Sequence, residues 1–132
     1  MFAIFLEIEI NEVLLYVAAV ITAAWGIAHL FATKGVVSGF GDISADNRRI
    51  ITMEWIVEGV ALISTAAFIG VATAIQPDSI VASAVYAVAT GTLIALALVS
   101  LFTGFRIAFL PFRLCPIVLG TSAVLVACGA WL

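Results

Sequence analysis

Four stretches of this sequence are each apolar enough, and nearly or fully long enough, to cross a hydrocarbon layer roughly 30 Å thick, which takes about 20 residues of helix. They run from Val13 to Ala32, Ile50 to Ile75, Ile80 to Phe102 and Pro116 to Leu132. Four such spans with modest connections predict an all-α, integral membrane, antiparallel four-helix bundle that occupies residues 1–132 as a single domain. The composition agrees. Of 132 residues, 65% are hydrophobic and 10% charged, against roughly 25% charged in a soluble domain. Five Lys+Arg against eight Asp+Glu give no basic face for nucleic acid.

The breaks between spans are short and chemically ordinary. Pro77 stops one helix, and Asp78 or Ser79 can cap the next. The Gly-rich stretch from Lys34 to Arg49 ends where Ser44 or Asp46 can cap the second span. The last connection, Thr103 to Cys115, is mostly apolar and is expected to lie along the membrane interface, which leaves the fourth span barely long enough. The opening MFAIFLEIEINE, with Glu7, Glu9 and Glu12, reads as an interfacial lead-in; the first basic residue is Lys34, so no secretory signal is expected.

All five basic residues fall in two loops: Lys34, Arg48 and Arg49 in one, Arg106 and Arg113 in the other. The opposite side carries Glu7, Glu9, Glu12 and Asp78. By the positive-inside rule both basic loops are cytoplasmic and both termini outside. So one-sided a distribution also argues against a dual-topology transporter. The four arginines are read first as topology determinants. Cys115 and Cys128 lie roughly 20 Å apart along one helix and cannot form a disulfide with each other.

Small residues at four-residue spacing let membrane helices approach closely. Ser83, Ala87, Gly91 and Ala95 form such a stripe on the third span, Ala66, Gly70 and Ala74 a shorter one on the second, and Ala19 and Ala23 add to it on the first. Internal packing is the expected use, with a homo-oligomer interface as the alternative. Tyr16 and Tyr86 are expected to hydrogen-bond neighbouring helices. Trp131 is an interfacial anchor, whereas Trp25 and Trp55 lie well inside their spans.

Ionisable residues inside a span cost roughly 2.5 to 3.5 kcal/mol near its centre on insertion scales and are functional candidates. His29 lies about one turn from the end of the first span, Glu54 about one turn into the second, and Glu58 one turn deeper. Counting inward from the shared loop pairs His29 with Glu54 in depth, and Trp25 with Glu58. This predicts a site of Trp25, His29, Glu54, Trp55 and Glu58, with Arg48 or Arg49 above it and Arg106 approaching from the other basic loop. Two carboxylates beside an imidazole are acid–base equipment in an apolar setting. They also serve simply as hydrogen bonds that hold helices together. One His and two Glu can make a facial metal set, but hydrogen bonding is the commoner use, neither Cys has ligand spacing with His29, and no metal or cofactor is expected. There is no phosphate loop, nucleophile elbow or CxxC.

The first span closing in WGIAHLF, the Gly-containing loop, and a second span opening with an acidic residue and EG (Glu58-Gly59) give the region Trp25 to Gly59 a pattern that resembles the DoxX-like superfamily of small bacterial membrane proteins. The resemblance implies a left-handed four-helix bundle in the cytoplasmic membrane, often attached to a redox partner subunit. A distant branch includes sterol isomerases, in which intramembrane acidic and His residues shuttle a proton; that branch has longer loops and an extra span. The leading expectation is a protein that binds a lipid-like or quinone-like hydrophobic small molecule, or a partner subunit, through Trp25, His29, Glu54, Trp55 and Glu58. An isomerase or redox-associated enzyme would use His29, Glu54 and Glu58 for proton transfer. A proton-coupled transporter is the third reading, and the thin set of polar residues in the outer halves of the spans disfavours it.

Overall fold

The computed structural model describes residues 9–132; the interfacial lead-in expected over residues 1–8 lies outside the described residues. Four helices follow in order: α1 (Ile10–Ser38), α2 (Ala45–Ile75), α3 (Ile80–Thr103) and α4 (Leu110–Trp131). All four are long and apolar enough to cross a membrane. The chain is thus a small multi-pass integral membrane protein and an all-α bundle. Helices suit this solvent because they satisfy their backbone polar groups internally.

The helices form a ring. Backbones meet between α1 and α2, α2 and α3, α3 and α4, and α4 and α1, while among the described residues the diagonal pairs stay apart. The two basic loops therefore share one end of the bundle, here called the basic end. Buried positions on α3 are Ala82, Tyr86, Ala89 and Leu93, and on α2 Gly59, Leu62, Ala66, Ile69 and Thr73. Steps of three and four alternate, the 3.5-residue period that keeps a seam facing its neighbour in left-handed packing. The outer surface is equally apolar: Phe31 is 86% and Phe102 78% exposed, as a lipid-facing surface requires.

The caps follow the sequence. Ser44 Oγ accepts from the Asn47 amide at 3.2 Å, and Ser79 Oγ from the Ala82 amide at 3.0 Å. Three boundaries differ. Helix α1 continues to Ser38, because Thr33 and Val37 extend the buried face of His29 at four-residue steps. Helix α2 begins at Ala45, so its first turn stands proud of the apolar segment. Helix α4 begins at Leu110, not Pro116. Pro111 occupies its first turn, where the missing N–H costs nothing, and Pro116 is an interior residue. The fourth span is consequently 22 residues long, about 33 Å. The connection before it shrinks to Gly104–Phe109.

The contact stripes also need correction. On α3, Ala87, Gly91 and Ala95 face outward, and a Cβ added at Gly91 would meet nothing within 4 Å. Gly70 on α2 is likewise open. The close approaches are elsewhere. A Cβ at Gly26 would stand 2.7 Å from the Gly59 carbonyl oxygen, and one at Gly129 would stand 2.7 Å from the Asn11 carbonyl oxygen. These glycines set the α1–α2 and α1–α4 spacings. Tyr86 makes the interhelical bond expected of it, 3.0 Å from the Thr73 hydroxyl, which itself donates to the Ile69 carbonyl at 2.8 Å.

Candidate functional site

The Gly26–Gly59 contact draws α1 and α2 together just below the ionisable residues and fixes which of them meet. His29 Nε2 lies 3.5 Å from Glu58 Oε1. The expected pairing of His29 with Glu54 is therefore corrected by one turn. Helical side chains lean toward their own N-terminus, so in antiparallel helices His29 leans away from the basic end and Glu58 toward it, and the two converge. Glu54 leans further toward the loop and lies about 140° around α2 from the Gly59 contact face. It is exposed and does not line the site.

The imidazole is held from three sides. Its Nδ1 is 2.9 Å from the Trp25 carbonyl oxygen. A carbonyl only accepts, so Nδ1 carries the hydrogen and Nε2 is the atom turned to Glu58. Trp55 stacks on the ring at 5.0 Å between centroids and 25° between planes, and Trp25 meets it edge-on at 5.8 Å. Across the diagonal of the ring, Trp55 also meets Phe112 of α4 edge-to-face at 5.6 Å. Because Nδ1 is committed, a bare Nε2 would face carboxylate lone pairs at 3.5 Å, so the contact needs either one proton or a cation between the two groups. Either position of that proton leaves the pair without net charge, which suits an apolar setting.

Beside the pair lies a cleft of about 480 Å3, within the roughly 300–1,000 Å3 range of small-molecule sites. Trp25, His29, Trp55 and Glu58 line one side; Ser100, Phe109, Phe112 and Cys115 contribute to the other. None of the four arginines lines it, contrary to expectation. Arg48 donates to the Gly41 carbonyl at 3.1 Å, Arg49 to Asp46 at 3.3 Å and Arg113 to the Ile107 carbonyl at 3.1 Å; Arg106 is exposed. They stay at the basic end as loop staples and surface charge.

The contribution of α4 to the site is absent from the sequence-based expectation. Cys115 is buried, its Sγ lies 3.3 Å from Ser100 Oγ, and one donor atom each from His29, Glu58 and Cys115 lie within 4.8 Å of one another. The expectation that neither cysteine is spaced to share ligands with His29 is corrected for Cys115. Pro111 carried the missing signal: a proline in the first helical turn starts α4 early and lowers Cys115 to the depth of His29.

No protein-family model, curated protein or solved structure matches the chain at a significant level. The functional reading therefore rests on the residues themselves.

Proposed function

We propose that this membrane protein binds a flat, lipid-soluble molecule with a polar carbonyl end, of the quinone-like class, in the cleft at its basic end. The observation that carries this reading is the juxtaposition of the His29–Glu58 pair, 3.5 Å apart, with an aromatic cleft of about 480 Å3. Trp25, Trp55 and Phe112 offer rings to a planar ligand. With the pair's one proton on Glu58, which lines the cleft, the carboxyl group offers the hydrogen bond a carbonyl oxygen needs, and a few placed polar groups in an apolar pocket are what fix a ligand's orientation. Membership of the DoxX-like superfamily, a bacterial inner-membrane location and cytoplasmic basic loops belong to the same proposal.

Native mass spectrometry of protein purified with its lipids tests the binding. Wild type should carry a hydrophobic small molecule that Glu58→Gln retains at least tenfold less; equal content in both would overturn the reading. For the orientation, Phe40→Cys in a Cys115→Ser, Cys128→Ser background should resist an impermeant thiol reagent added outside intact cells. Labelling from outside would reverse the topology.

A further inference from the structure

The wall of the cleft carries a donor set whose use goes beyond binding a hydrophobic ligand. We propose that His29, Glu58 and Cys115 form a three-ligand site for a divalent metal ion of the zinc type, with a fourth coordination position open to the cleft. The three donors come from α1, α2 and α4 and lie within 4.8 Å of one another, on the wall of the cleft at the basic end.

The spacing of the first pair favours an ion over a direct contact. Charge-assisted N–H···O bonds close to about 2.7–2.9 Å, whereas His29 Nε2 and Glu58 Oε1 stand 3.5 Å apart. Two ligands about 2.0–2.2 Å from a tetrahedral zinc are separated by about 3.4 Å. The outer contacts suit the same role. His29 Nδ1–H is anchored on the Trp25 carbonyl at 2.9 Å, the arrangement that fixes the tautomer of metal-bound histidines. Ser100 Oγ, 3.3 Å from Cys115 Sγ, can donate to a thiolate.

Charge and softness select the ion. A carboxylate, a thiolate and a neutral imidazole together carry two negative charges, which one divalent cation cancels, and neutrality matters where unpaired charge is costly. Thiolate and imidazole favour zinc-like ions over magnesium or calcium, which take oxygen ligands. Three protein ligands with one open position is also the pattern of zinc sites that bind a further molecule.

Cobalt(II) titration of the metal-free, full-length protein in detergent tests the site with no hydrophobic ligand present. One cobalt per chain should bind with a thiolate-to-metal charge-transfer band. That band should vanish in Cys115→Ser and persist in Cys128→Ser, and His29→Gln should weaken binding at least tenfold. Absence of binding to wild type, or a band that survives Cys115→Ser, would overturn the proposal. A readout on unmutated protein guards against misfolded variants: zinc should slow N-ethylmaleimide modification of Cys115 and leave Cys128 unaffected, and equal rates at Cys115 with and without zinc would contradict the site. An ion on Nε2 and Oε1 takes the place of the pair's proton, so the site describes a metal-bound form of the same cleft; because neither measurement involves the quinone-like ligand, failure here leaves the binding function proposed for the metal-free pair standing.

Discussion

At the end of the bundle opposite the basic loops, α1 and α4 approach so closely that a Cβ at Gly129 would stand 2.7 Å from the Asn11 carbonyl oxygen. At the basic end, all four helices line an open cleft of about 480 Å3. Both halves bury polar side chains, but differently. In the closed half the Tyr86 and Thr73 hydroxyls, both buried, satisfy each other at 3.0 Å, which makes that bond a clasp between α2 and α3. In the open half the His29–Glu58 contact borders empty space and leaves Glu58 partly accessible, its side chain 37% exposed. The same residue classes hold helices together where packing is dense and line a cleft where it is not.

The comparison breaks first at its glycines. Gly129→Val drives two methyl-bearing branches into the α1 backbone and should destabilise the bundle by about 1–3 kcal/mol or more, measured by steric trapping or by unfolding from mixed micelles. Gly91→Val, where nothing lies within 4 Å of the added Cβ, should change stability by well under 1 kcal/mol. Equal losses at both would mean that the close α1–α4 approach is not what holds the closed half.

Next comes the open half. Glu58→Gln should weaken quinone-analogue binding at least tenfold, followed by quenching of the tryptophans, with stability little altered. Tyr86→Phe should have the reverse profile: about 0.6 kcal/mol of stability lost, the average for interhelical hydrogen bonds in membranes, and ligand affinity unchanged. The smallest effect is expected at Glu54→Gln, which should move neither quantity, since that carboxylate lies outside the cleft.

Span number, the all-α bundle, the Ser44 and Ser79 caps and the Tyr86 bond were legible because each depends on local chemistry: apolar run length, a hydroxyl before a helix, a phenol in lipid. The site was half legible. His29, Trp25, Trp55 and Glu58 stand out as polar or bulky residues within spans, and they do converge. Glu54 failed because counting residues from a loop gives the depth of Cα atoms and ignores the opposite tilts of side chains on antiparallel helices. Cys115 failed because Pro116 was taken to start a helix that Pro111 starts. The outward stripe on α3 shows a further limit: small residues at four-residue spacing make close approach feasible, and only the neighbours decide whether it happens.

The whole site depends on His29 facing Glu58 and not Glu54. The chain contains a single histidine, so 15N-histidine labelling marks one imidazole, and solid-state NMR dephasing of its Nε2 by 13Cδ-labelled glutamate in lipid bilayers reads the contact directly. Strong dephasing should disappear in Glu58→Gln and remain in Glu54→Gln. Dephasing that survives Glu58→Gln and is lost in Glu54→Gln would contradict the arrangement on which the proposed site is built.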